Sequence, residues 1–126
     1  AESDWVVIHV PKEPRNVGLF GKTTIESMKK GSFLINTSRG GIVDEKSLLS
    51  ALESGRLRGA AADVFEREPP DLSDPTTRGL LAHPRFVATA HRGGATAEAK
   101  ERIAAQAAGQ VLAFFNQGGT MGVLNG

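Results

Sequence analysis

Four short apolar runs rich in β-forming residues punctuate the chain, at residues 5–10, 32–37, 59–65 and 86–89, each bounded by turn signals. None alternates strictly between apolar and polar positions. Near-continuous apolar strands are what a parallel sheet covered on both faces requires, because each strand is then buried above and below. Between the runs the spacing turns helical. Residues 23–29 predict a short helix, and Asp44 opens a second, 44–54, with Leu48, Leu49 and Leu52 on one face and Gly55 as its stop. A longer helix starts from the N-cap Thr96, with Glu98 in its first turn. Ile103, Ala107, Val111 and Phe114 mark one stripe along it until Gly118 and Gly119 end it. Residues 66–84 hold Pro69, Pro70, Pro75 and Pro84 among charged side chains and predict a long loop rather than a helix. A loop of that length in a compact domain is usually functional or lines an interface.

This order of strands and helices is the alternation of a doubly wound α/β sheet. Composition changes the picture little: 126 residues, 40% hydrophobic and 23% charged, suit one soluble globular domain. The formal charge of +1 comes from 15 basic and 14 acidic side chains scattered along the chain, so no basic footprint for nucleic acid or an anionic membrane is present. No cysteine occurs, which excludes disulfides and Cys-ligated metal and suits a reducing cytoplasm. The apolar run at residues 5–8 is too short for a signal segment or a membrane span, and no metal-ligand cluster is evident. Two motifs are decoys. "GLFGKT" ends like a phosphate-binding loop but has Asn16 where the template needs glycine. The two Arg-Gly-Gly copies, at 39–41 and 92–94, lie in α/β punctuation rather than in a repetitive RNA-binding tract.

Ligands of open α/β sheets bind beyond the carboxyl ends of the strands. Arg39 follows the second run, in "NTSRGGIVDE". Asp63 and Glu68 end and follow the third, and His91 follows the fourth, in "TAHRGGAT". As a set they point to an acid/base site for an anionic substrate. A guanidinium grips a carboxylate with two parallel hydrogen bonds, an imidazole moves a proton near neutral pH, and a carboxylate orients and charges that imidazole. Each also has a plainer reading: Arg39 as a turn residue, His91 as a satisfied strand-end histidine, Glu68 as a solvated loop carboxylate with Glu66 as its competitor. His9 and His83 are read as structural.

From "FLINTSRGGIVDEKSLLSALESGRLRGAAADVFEREP" to "VATAHRGGAT", and over nearly the whole chain, the sequence resembles the D-isomer-specific 2-hydroxyacid dehydrogenases. The resemblance implies an NAD-dependent oxidoreductase that moves a hydride between a nicotinamide cofactor and a small 2-hydroxy or 2-keto acid such as phosphoglycerate or glycerate; NADP is not excluded. It implies that Arg39 binds the carboxylate, that His91 takes the hydroxyl proton, and that Glu68 pairs with His91, raising its pKa and fixing its tautomer. It implies cofactor contacts at Val10, Thr37, Ser38, Arg39, Asp63, His91, Gly93 and Gly94, with Asp63 holding the nicotinamide carboxamide. Formate dehydrogenases share the scaffold but carry glutamine where Glu68 stands, which argues against them. Ala90 and Arg92 depart from the family pattern, which has proline before the histidine and a small apolar residue after it. Arg92 is either a second cation for a doubly anionic substrate or a surface residue.

No G-x-G-x-x-G follows any strand. The expected architecture is therefore the second half of a doubly wound, Rossmann-like parallel sheet plus a long C-terminal helix. Residues 1–94 are expected to form the second half of an NAD-binding domain and residues 95–126 the helix and tail. The chain is expected to be a fragment that does not turn over substrate alone. Its first strand, lacking a neighbour, is expected to favour self-association, with a cytoplasmic homodimer as the whole. Two other readings share the scaffold: a dinucleotide-sensing corepressor and a half-length pseudoenzyme partner subunit.

Overall fold

The computed structural model describes residues 2–91 and 95–118. It divides into two units, Ala1–Ala90 and His91–Gly126. The first holds four strands, β1 (Trp5–Ile8), β2 (Ser32–Asn36), β3 (Leu57–Ala62) and β4 (Phe86–Ala88), in a fully parallel sheet of order β1-β2-β3-β4. Parallel neighbours need crossovers, and three helices supply them: α1 (Lys22–Ser27), α2 (Glu45–Glu53) and α3 (Pro75–Ala82).

The helix boundaries follow from local chemistry. Asp44 caps α2 by accepting the Ser47 N–H at 2.6 Å, and Gly55, at φ 70°, takes the left-handed conformation that ends it. Helix α3 corrects the expectation of an uninterrupted loop over residues 66–84. Asp74 accepts the Thr77 N–H at 2.7 Å, and Pro75 stands in the first turn, where its missing N–H has no intrahelical partner to lose. Prolines that mark a loop in bulk thus include one that starts a helix.

Packing differs between the two faces of the sheet. Val6, Ile8, Leu34, Ala60, Ala62 and Phe86 face one way, and with Ile25, Leu48, Leu52 and Leu80 of the helices they form the core. Truncating a buried leucine such as Leu52 to alanine costs about 2–5 kcal/mol. On the opposite side of the strands, Trp5, Val7 and Val87 are exposed and Phe33 and Ile35 half-buried. The strands are apolar on both sides as expected, but the three helices of this unit cover one. On the other, Trp5 stacks on Phe33 with ring centroids 4.1 Å apart.

The second unit contains α4 (Ala97–Gln117), capped by Thr96, whose hydroxyl accepts the Ala99 N–H at 3.1 Å, and ended at Gly118 with φ 63°. Ile103, Val111, Leu112, Phe114 and Phe115 are exposed along it. Among the described residues no helix is long and apolar enough to cross a membrane.

Candidate functional site

The carboxyl ends of β2, β3 and β4 are stitched into one rim. The Asp63 N–H donates to the Asn36 carbonyl at 3.0 Å, and the Thr89 N–H donates to the Ala62 carbonyl at 3.0 Å. Asp63 stands half-buried on this rim, and its carboxylate accepts the Thr89 hydroxyl.

β2 ends at Asn36, whose side chain is buried at 5% exposure in a place where an amide must find partners. It finds three. Its Oδ1 accepts the Ser38 N–H at 3.1 Å and the Ser38 hydroxyl at 2.9 Å, and its Nδ2 donates to the Arg39 carbonyl at 3.0 Å. These bonds wind residues 36–39 into a closed turn that lifts Arg39 above the strand end. The Arg39 Nη1 donates to the Ser38 carbonyl at 2.7 Å. That engages one of the five N–H donors a guanidinium carries, and the fork shape is suited to a carboxylate. Thr37 is exposed and Ser38 buried within the turn, while Val10, beyond the end of β1, is exposed.

Gly40 presses this turn against the segment after β3. A Cβ on Gly40 would fall 1.7 Å from the Phe65 carbonyl oxygen and 2.9 Å from the Glu66 nitrogen, so only glycine permits the approach. The Phe65 N–H donates to Glu68 Oε1 at 3.1 Å, folding the Glu68 carboxylate back over its own turn. The segments carrying Arg39 and Glu68 are thereby in direct backbone contact. Glu66 is exposed, and its N–H donates to Glu45 Oε1 at 2.7 Å. Burial pushes the Glu45 carboxyl above its ordinary value. The Glu66 N–H and the Thr77 hydroxyl work against that shift, while the Glu66 and Asp74 charges add to it.

His91 begins the second unit, exposed, with φ 50° in the left-handed region where histidine is uncommon. Gly93 and Gly94 lie outside the described residues. His83 plays a structural part, since its Nδ1 accepts the Arg85 N–H at 3.1 Å just beyond α3. Among the described residues no group of three or more His, Cys, Asp or Glu could hold a metal ion. Two contributors escape a reading of the sequence. Asn36 is signalled only as the polar end of an apolar run; Glu45, beside an obvious N-cap, carries no signal of its contact with Glu66.

Residues 1–93 match the family described as D-isomer specific 2-hydroxyacid dehydrogenase, NAD binding domain. The chain belongs to this family. The D-3-phosphoglycerate dehydrogenase of Escherichia coli (strain K12) is 43% identical over 123 residues, which is 98% of this chain and 30% of that enzyme's length. The solved structure of D-2-hydroxyisocaproate dehydrogenase superposes with a TM-score of 0.83 at 30% identity, covering 94% of this chain and 39% of its own. The NAD-dependent formate dehydrogenase of Staphylococcus aureus, solved in complex with NAD, gives a TM-score of 0.76 at 38% identity over 92% of this chain and 34% of its own. The chain therefore spans about a third of the dehydrogenases it matches. Its parallel sheet, with the rim built from Asn36, Arg39 and Asp63, lies within the part that defines the family's NAD-binding domain.

Proposed function

We propose that these residues serve an NAD-dependent D-2-hydroxyacid dehydrogenase acting on phosphoglycerate, glycerate or a similar small acid. In this reading Arg39 grips the substrate carboxylate through its planar fork. His91 receives the proton of the substrate hydroxyl as the carbon-bound hydrogen departs with its electron pair, and in the reverse direction returns that proton to the carbonyl oxygen. Glu68 favours the imidazolium over the neutral ring, so the proton has a stable destination. NAD, when bound, supplies the hydride acceptor.

The residues present suit the nicotinamide end of that cofactor. Asp63 offers a carboxylate on the rim to accept a carboxamide N–H, and Val10, Thr37, Ser38, Gly93 and Gly94 would supply main-chain contacts. Nothing in these 126 residues has the glycine-rich turn that cradles the cofactor's phosphates. The observation that carries the reading is the approach of Gly40 to Phe65, which joins the turn bearing Arg39 to the turn bearing Glu68. Glutamate at 68 favours a hydroxy acid over formate, since a hydroxyl must lose a proton and formate has none to give. The same reading carries a homodimer working in the cytoplasm.

The test is turnover of a panel of 2-hydroxy acids with NAD by the complete natural gene product. His91→Gln is expected to lower kcat by about 100- to 10,000-fold, with a far smaller loss of dinucleotide affinity, since His91 is one cofactor contact among several. Full turnover by that variant would overturn the assignment of His91.

A further inference from the structure

We propose that Thr89 is a positioning residue that sets the direction of the Asp63 carboxylate, and through it the seat of the nicotinamide carboxamide. This rests on the dehydrogenase reading above, in which Asp63 accepts a carboxamide N–H. The two residues stand one step past the Ala62–Ala88 pair that ends the β3–β4 ladder. Both main chains are fixed there, since the Asp63 N–H donates to the Asn36 carbonyl and the Thr89 N–H to the Ala62 carbonyl, each at 3.0 Å. Between these anchored positions the Thr89 hydroxyl donates to Asp63 Oδ1.

An aspartate on a fixed backbone still turns about two side-chain bonds, and the outer one has only a broad preference. Asp63 has contacts beyond this one, so Thr89 does not hold it alone. What threonine adds is a donor that is itself stiff. Its branched Cβ limits the first side-chain torsion, and a hydroxyl aimed at a carboxylate makes one of the stronger classes of hydrogen bond. The bond has little to do for the fold. Thr89 is exposed and Asp63 half-buried, and at such a place water replaces a lost hydrogen bond at small cost in stability. A contact that adds little to folding, yet aims a charged group on the ligand-binding rim of a parallel sheet, is suited to orientation.

The carboxamide supplies a test that lost stability cannot imitate. In the acetylpyridine analogue of NAD a methyl ketone replaces the carboxamide, so no N–H remains for Asp63 to accept. Thr89→Val keeps the branched shape and loses the hydroxyl. In the complete natural gene product it is expected to raise the Kd for NAD about 3- to 10-fold, as for one weakened hydrogen bond, and to change the Kd for the analogue by less than about twofold. Thr89→Ser restores the donor and should stay within about twofold of the wild type for both dinucleotides. Calorimetric titration reads all of these without turnover. An equal loss for NAD and the analogue, no loss for NAD, or a Thr89→Ser variant as weak as Thr89→Val would each overturn the positioning role.

On the 126-residue chain, the couplings between the α- and β-protons of Asp63 report its rotamer with no dinucleotide present. They should shift toward averaged values in Thr89→Val and stay put in Thr89→Ser; couplings unmoved by valine would also count against the proposal. If instead Asp63→Ala binds NAD and the analogue in the wild-type ratio, the reading of Asp63 as the carboxamide's partner fails, and the couplings still decide whether Thr89 directs the carboxylate.

Discussion

The two turns that meet beneath the candidate site are built on opposite plans. The turn after β2 is closed from within: Asn36, Ser38 and Arg39 exchange four hydrogen bonds among residues no more than three apart. The turn after β3 is held largely across the fold: beside the bond from Phe65 N–H to Glu68, Val64 and Phe65 are buried in the core, Phe65 packs on Phe86, and Gly40 and Glu45 meet it from distant parts of the chain. A turn closed from within keeps its shape wherever the chain places it. A turn held from outside is correct only when the fold around it is complete, so the geometry of Glu68 reports on tertiary structure in a way that the geometry of Arg39 does not.

Breaking the contact between the turns should have the largest effect. Gly40→Ala places a methyl group 1.7 Å from the Phe65 carbonyl oxygen, and both atoms belong to main chain that cannot rotate away. The two segments must part, at a cost of about 3 kcal/mol or more by analogy with overpacked cores. Urea unfolding of the chain should show a lowered midpoint, with Glu66 amide exchange accelerated. An unchanged midpoint would mean that the turns separate freely and that the close approach is not needed for the fold.

Breaking the internal turn comes next. Asn36→Ala strips the Ser38 N–H and hydroxyl and the Arg39 carbonyl of their shared partner in a buried setting, where each unsatisfied group costs about 1–3 kcal/mol unless water replaces the bond. The expected loss is about 2 kcal/mol in denaturant, with faster exchange at Ser38 and none of the change at Glu66 that Gly40→Ala produces. If Asn36→Ala disturbed Glu66 as strongly as Ser38, the two turns would be one cooperative element and the contrast between them would vanish.

The same contrast explains what is legible in the sequence. Helix α2 is readable because its signals are adjacent in the chain: Asp44, the leucines of one face and Gly55. So is the placement of Arg39 and Asp63 after successive apolar runs, since parallel topology sends the carboxyl ends of β2 and β3 to one rim. Helix α3 is hidden when the prolines are weighed together, although Pro75 behind Asp74 is a start signal and only Pro84 is a stop. Which element covers each face of the sheet is not legible, because an apolar strand states that a face needs burial without saying what provides it. Glu45 is invisible for a different reason. Its partner lies 21 residues away, and no local pattern distinguishes a first-turn glutamate that serves the helix dipole from one that reaches another loop.

The smallest expected effect sharpens the account of Glu45 itself. Burial, reinforced by the Glu66 and Asp74 carboxylates, raises its pKa above 4.5, so the folded chain binds this proton more tightly than the unfolded chain does. The sign follows from linkage: the stability this group contributes by titrating is fully present below pH 4.5 and is lost as pH rises through the folded pKa. Glutamine in its place keeps the acceptor and removes the titration. The advantage of the wild type over Glu45→Gln should therefore be greatest in acid and shrink steadily toward neutral pH, where an unbalanced carboxylate facing Glu66 and Asp74 gives glutamine the edge. Asp71 does not confuse the comparison. Its pKa is lowered by the Ser73 hydroxyl and N–H, so its contribution is lost only in acid below the ordinary value of 3.8, and it is common to both chains. Urea midpoints of the two proteins measured from about pH 4 to about pH 7 should converge and then cross. Parallel curves would mean that the Glu45 proton is held no more tightly in the fold than in solution, and that Lys46 and Arg67, which line the same groove, offset the neighbouring carboxylates.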